Sequence, residues 1–428
     1  MKYADKLNIV CRRRNIARWE GSISNTVTPS VIPPSRFTSL LWVFVLVLAL
    51  CVGASARPEF RGAWVTGWTH GFLTPEEADA TVAAAKAANI NALFIQVRKV
   101  GDAYYDSAYE PRATNIGVQE YDPLAYVIER AHREGIEVHA WVNALRVQLG
   151  SRSNSDPRHV CNRRPEWLTR DVNGRVKSSD GLYLDPGAPG VQDYTAQIVL
   201  DILRKYNVDG IHLDYLRYPG GEWGYNSAAV ARFNSRYGRS GSPSADDPRW
   251  SAWRREQVTS LARRIYREVN AARPEVKLTA AAICWGEPYD SFERTDAYRQ
   301  AFQDWPKWMR EGIVDAVVPM NYRGDRSPAS ARQYRRWLDN MCGWRYDRHI
   351  YAGQMVGEDL AGAIAQLRAS RASGSEGIVC FMLNDTPQRG QLVLALRRSA
   401  YTQPADIPIM PWKERFARVP GRGKSSEF

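Results

Sequence analysis

Cysteine is scarce in this chain, six among 428 residues, and none stands in a CxxC pair. No HExxH occurs either, so the sequence offers no zinc-ligand set and no metal is expected. Neither GxGxxG nor GxxxxGK[ST] follows the first strand-like run, which removes the dinucleotide and P-loop readings and leaves no cofactor implied. A dense stripe of Lys and Arg is also lacking, so nucleic acid is not an expected partner, although the formal net charge is +12. The charge-free apolar run Leu40–Val52 is short for a membrane-spanning helix.

That run suits another use. Arg36 precedes it and Ala54-Ser55-Ala56 follows it, which reads as a signal peptide in residues 1–56, cleaved after Ala56. An uncleaved anchor is the alternative. The expected location is therefore outside the cytoplasm: periplasm, cell envelope or medium. Seven Lys/Arg against Asp5 and Glu20 put +5 of the charge in this segment and leave +7 for the rest. A moderately basic surface suits an anionic polymer, a membrane face or a cell wall. Export also permits disulfides. Cys284 and Cys380 lie in apolar runs and read as buried small hydrophobes, whereas Cys161 and Cys342 lie in loop-like segments and could pair.

What is abundant is alternation. Eight apolar runs of strand length are separated by amphipathic helical segments, the pattern of βαβ units. The runs are Phe60–Trp68, Ala92–Arg98, Val138–Val147, Gly210–Tyr218, Lys277–Trp285, Ala316–Arg323, Ile350–Met355 and Gly377–Asn384. Several are apolar on both faces, as strands covered on both sides are. Thr74-Pro75-Glu76-Glu77 reads as a capping box, Asp122-Pro123 as a second helix start, and Gly135 and Gly312 as helix stops. The expected fold is a (β/α)8 TIM barrel over 57–402 with long βα-loop insertions, followed by an extended basic tail, 403–428. Residues 148–187 and 219–247 are the long connections, and the first contains Asn173-Gly174, a hairpin signal. Both belong over the C-terminal face, where such barrels carry their sites.

The polar and aromatic residues closing each run are therefore the candidates. Hydrolysis of a glycosidic bond usually needs two carboxyl groups, one to protonate the leaving oxygen and one to attack or to activate water. Asp214 is the first: in Asp209–Tyr215, His212 and Asp214 point together into the barrel, while Ile211, Leu213 and Tyr215 face outward. Glu287 is the second, following Trp285-Gly286, where an indole neighbour suits a proton donor. Asp102, Asp180, Asp185 and Asp385 are weaker rivals. Trp64, Arg98, Asp102, Trp141, Asn143, His212, Arg217, Tyr218, Trp285, Asn321, Tyr322 and Gln354 are the expected substrate-binding set, because aromatic faces stack on pyranose rings and the polar groups match sugar hydroxyls. Against each stands a plainer role: a core tryptophan, a satisfied buried histidine, a structural Asp–Arg pair.

Taken together, Arg61-Gly62-Ala63-Trp64, Gln96-Val97-Arg98, Gly101-Asp102-Ala103, Glu110-Pro111, His139–Asn143, Leu184–Gly187 and Asp209–Pro219 resemble the glycosyl-hydrolase-like family ten, over about residues 57–400. The resemblance implies a TIM barrel, glycosidase activity and export. It also implies, as substrate, peptidoglycan glycan strands poor in stem peptides. Asp214 matches the family's fourth-strand aspartate. A fainter likeness to chitinases, whose fourth strand reads DGxDxDxE, fails at His212 and Leu216, where Asp and the acid Glu would stand; Met320-Asn321-Tyr322 echoes their sixth strand, but Arg323 replaces an Asp. Two readings follow: a hydrolase of a bacterial envelope glycan, or a non-catalytic glycan-binding barrel at the envelope. The partner in both is a polysaccharide, with association to the envelope or a membrane surface.

Overall fold

The computed structural model describes residues 57–150, 154–323, 327–357 and 359–417. The expected signal segment and residues 418–428 lie outside the described residues.

Ten strands form. Eight of them close a parallel barrel: β1 (Phe60–Val65), β2 (Ala92–Arg98), β3 (Glu137–Asn143), β6 (Gly210–Asp214), β7 (Lys277–Ala282), β8 (Ala316–Pro319), β9 (His349–Met355) and β10 (Gly377–Phe381), with β1 pairing both β2 and β10. The other two, β4 (Arg146–Gln148) and β5 (Leu182–Tyr183), make a small antiparallel sheet over the mouth. The eight apolar runs are thus the eight barrel strands. Their starts agree with the sequence to within a residue, but most strands end earlier than expected. The surplus residues, among them Trp68, Tyr218, Trp285 and Arg323, form the loops above the barrel.

Alternation builds two cores. One side of each strand packs against the helices in a continuous apolar shell that includes Ile95, Val142, Ile211 and Leu213. The other side fills the barrel with Phe60, Trp64, Phe94, Trp141, Val318 and Tyr351. Phe60 and Tyr351 stack at 4.0 Å, so the lower barrel is solid rather than a pore.

The helix starts follow the sequence with one difference. Thr74 caps Pro75–Ala87 by accepting from the Glu77 amide at 3.3 Å. Glu77, however, reaches past Thr74 to the amides of Gly71 and Leu73, bracing the loop after β1 instead of closing a capping box. Asp122 caps the second helix, and Gly312 ends Trp305–Glu311 with φ 66°. Asn173-Gly174 does not turn a hairpin ladder: Asp171 accepts from the amides of Asn173 and Arg175 and folds residues 171–175 into a tight turn.

The expected tail is a structural part of the barrel. Residues 403–410 run extended beneath it, where Gln403 accepts from Arg61 and Ala405 from Asn91. Pro411–Ala417 is helical. Met410 packs into the barrel interior, Trp412 Nε1 donates to Asp315 at 2.7 Å, and Lys413 Nζ lies 2.9 Å from the same carboxylate. The barrel opens only upward because this segment covers its N-terminal end, so a boundary at 402 cuts through the domain. The four cysteines of the described residues are free, so Cys161 and Cys342 do not pair. They sit in separate helices on different parts of the shell, and burial pushes their thiols up to about 12 and about 11. Cys284 and Cys380 are buried, as expected.

Candidate active site

Asp214 ends β6 on its inward-facing side, opposite Asn143 in register. Just after it the chain breaks out of the strand: Tyr215 takes φ 51°, a left-handed conformation uncommon for a bulky residue. Tyr215 consequently turns toward the mouth, not outward as the strand period suggests. The Asp214 carboxylate accepts from the Tyr215 amide and lines an open hollow of about 460 Å³ with Tyr215, Arg217, Trp285, Tyr322 and Arg323. It is only 7% exposed. Burial raises its pKa above the ordinary carboxyl range, against the opposing pull of the Tyr215 amide, Arg217, Arg146 and the Trp141 indole. Trp141 Nε1 itself makes no hydrogen bond of good geometry, so its effect on Asp214 is one of proximity.

Beneath Asp214, His212 is a fixed part of the floor. Trp64 Nε1 donates to its Nε2 at 3.1 Å, Thr279 Oγ1 lies 2.9 Å from its Nδ1, and Phe94 stacks on it at 4.4 Å. Burial holds its pKa well below the ordinary value, so the ring is neutral. We expect nitrogen chemical shifts of His212 to show no titration between about pH 5 and 8, the window in which an unperturbed histidine changes charge. A titration midpoint near 6.5 would contradict this setting. Trp64 and His212 therefore support the site from below and do not reach the hollow.

The carboxyl nearest in chemistry to Asp214 is Asp180, not Glu287. Asp180 lies on the long β3–β6 connection, 3.1 Å from Arg146 Nη1 and 3.4 Å from Arg217 Nη2, and accepts from the Tyr183 hydroxyl at 2.5 Å. Those two arginines are the same ones that act on Asp214, and both contact the Tyr215 ring, at 3.7 Å for Arg146 and 4.7 Å for Arg217. Glu287 is exposed outside the hollow and accepts from Gln333 Nε2 at 2.7 Å. Gly286, with φ 71°, turns the chain away after Trp285, a conformation the run of residue types did not reveal.

Several expected sugar ligands are structural. Arg98 is fully buried against Glu110 in a two-pronged ion pair at 2.7 and 2.6 Å. Asp102 accepts from the Val100 amide at 2.8 Å and ties its own loop. Tyr218 donates to Asp185 at 2.9 Å, and burial raises that carboxyl to about 6. Asn321 donates to the Tyr334 carbonyl at 3.0 Å, Gln354 to the Ala363 carbonyl, and Asn143 to the Lys99 carbonyl at 2.6 Å. All six side chains are buried. Of the expected binding set, Arg217, Trp285 and Tyr322 line the hollow with Asp214, and Trp141 stands beside it.

Arg146, Arg323 and Trp68 close their apolar runs in the sequence but are not in the expected binding set; Arg323 lines the hollow, and Arg146 holds Asp180. Trp68 and Trp285 are exposed indoles on opposite sides of the rim: β1 and β7, which precede them, stand four places apart in the ring of eight. Each lies over a cation, Lys99 at 4.4 Å and Arg217 at 4.8 Å. A separate groove of about 1010 Å³ runs between residues 175–179 and Pro219–Trp223.

Residues 59–356 match the family described as glycosyl hydrolase-like 10. The chain belongs to this family. Among curated relatives, it is 26% identical to the glycosyl hydrolase YngK of Bacillus subtilis over 88% of this chain and 79% of that protein. It is 29% identical to the glycosyl hydrolase DigH of Escherichia coli K12, over 54% of each. Solved structures share the fold: the glycoside hydrolase domain of PgaB from Bordetella bronchiseptica superposes with a TM-score of 0.57 at 13% identity, over 79% of this chain and 99% of that domain. The catalytic domain of a Paenibacillus polymyxa beta-amylase does so with 0.57 at 12% identity, over 81% of this chain and 99% of that domain. No group of three or more His, Cys, Asp or Glu that could hold a metal ion occurs among the described residues.

Proposed function

We propose that this protein is an exported glycoside hydrolase that cleaves glycan strands of bacterial peptidoglycan poor in stem peptides, with Asp214 as the proton donor. The observation that carries the reading is the Asp214 carboxyl: inward, buried, biased toward its protonated form, and open to a hollow of sugar size. A carboxyl whose pKa is raised by burial suits donation to a glycosidic oxygen. Asp180, which does not line the hollow but shares Arg217 and Arg146 with Asp214, is the candidate second carboxyl, for water or for the anomeric carbon. Trp285 and Trp68 supply apolar faces for sugar rings on either side. Family membership supports the hydrolase class, and the basic chain with its apolar run before Ala-Ser-Ala supports export toward the wall.

The second reading, a barrel that binds glycan without cutting it, draws on Glu287 standing outside the hollow. One experiment separates the two. Purified peptide-free peptidoglycan glycan is incubated with the protein, and new reducing ends and bound protein are both measured. Reducing ends that accumulate with time support the hydrolase. Binding without new ends replaces it with the second reading, and neither signal removes this substrate.

A further inference from the structure

The hollow holds more positive charge than its own carboxyl answers. Arg217 and Arg323 both line it, with Asp214 as the one acidic side chain among the described lining residues. Arg217 is 5% exposed, its Nε has no hydrogen-bond partner, and its single carboxylate contact, to Asp180, is a long 3.4 Å. Arg323 donates to the Cys284 carbonyl at 2.8 Å, to Asn321 Oδ1 at 3.1 Å and to the Gly286 carbonyl. It has no carboxylate within ion-pair distance among the described residues. A third donor, Arg146 Nε, is buried and unpartnered behind Asp180. Buried polar groups are normally satisfied, and a buried charge without a counter-ion is costly. Neutral sugar hydroxyls would satisfy the open N–H groups but not the charge.

We propose that the sugar unit bound beside Asp214 carries a carboxylate, and that Arg217 and Arg323 together recognise it. Guanidinium forks match a carboxylate in two parallel bonds, which a hydroxyl or an amide does not reproduce. Burial, by raising the Asp214 pKa, lessens rather than adds to its repulsion of an incoming anion. Arg217 comes three residues after Asp214, the last residue of β6, so anion recognition and proton donation are held by one loop. This rests on the proposed glycan reading but does not require turnover.

The test uses full-length Asp214→Asn, so that substrate persists, and a tetrasaccharide of peptide-free peptidoglycan glycan prepared in two forms: carboxyls free, and carboxyls converted to primary amides. Calorimetry should give about tenfold tighter binding of the free acid, about 1.4 kcal/mol. Adding Arg323→Gln, a partly buried position with no ion pair to break among the described residues, should bring the two affinities to within about twofold, the loss falling on the acid form. Arg323→Lys should restore part of the preference, since charge is kept and the fork is lost. Equal affinity for the two forms in Asp214→Asn, or a preference untouched by Arg323→Gln, overturns the proposal, as does failure to bind either form. If wild type releases no reducing ends while the acid form is still preferred, the hydrolase reading falls and anion recognition stands.

Discussion

Replacing Asp214 with Asn should lower kcat/KM for peptide-free glycan by about 10²–10⁴-fold, the usual contribution of a positioned proton donor, and leave the protein folded. The isosteric amide keeps the acceptor for the Tyr215 amide. Stability should move the other way. Asp214 has a folded pKa raised by burial above the ordinary 3.8. In the window between those two values the folded state binds more protons than the unfolded one, so this group's contribution falls as pH rises through the window. Above it, wild type carries a buried charge that the Asn variant lacks. Asp214→Asn should therefore melt at or above the wild-type temperature at pH 7, with the difference vanishing below about pH 4. The same titration predicts that wild-type activity declines as pH rises through the folded pKa of Asp214, because the donor is lost. Near-normal reducing-end release from the variant would remove Asp214 from the chemistry.

Glu110→Ala should cost about 3–5 kcal/mol of stability in denaturant unfolding, the largest single effect expected outside the hollow. Glu110 and Arg98 have fully buried side chains, paired at 2.7 and 2.6 Å, and Tyr194 donates to the same carboxylate at 2.7 Å. Burial alone would weaken the guanidinium's hold on its proton, and the Glu110 carboxylate outweighs it and raises the Arg98 pKa. Removing the glutamate strands that cation in the core. Arg98 also donates to the Asn143 and Ala144 carbonyls, so the pair fastens the end of β2 to the end of β3, directly across from Asp214. The double variant Arg98→Met/Glu110→Leu should lose less than Glu110→Ala alone, since no charge is left unpaired. A Glu110→Ala protein as stable as wild type would show that the pair is not what joins these strands.

Much of the architecture was legible because it rests on local chemistry. Runs such as Ala92–Arg98 are apolar on both faces, and only a strand covered on both sides uses that pattern. Asp214 was legible for the same reason: with period two, His212 and Asp214 had to share the inward face. Tyr215 broke the inference because a single left-handed φ reversed the direction of its side chain. Arg98, Tyr218 and Asn321 have the residue types of sugar ligands, but type does not reveal a partner; Glu110, Asp185 and the Tyr334 carbonyl lie 12 to 33 positions away and claim them. Asp180 was a weak rival in the sequence because no spacing rule links it to Arg146 and Arg217, positions 34 and 37 residues distant.

The order of side chains along the chain by itself determined eight inward and outward faces, the barrel they close and the placement of Asp214 at its mouth. These follow from strand periodicity and need only neighbours in sequence. Which carboxyl accompanies Asp214, which arginines keep free donors, and which segment closes the bottom of the barrel were decided by the tertiary structure. Those outcomes depend on loops whose conformations are set by contacts between distant residues, and on burial, which outweighs the opposing arginines and raises the Asp214 pKa.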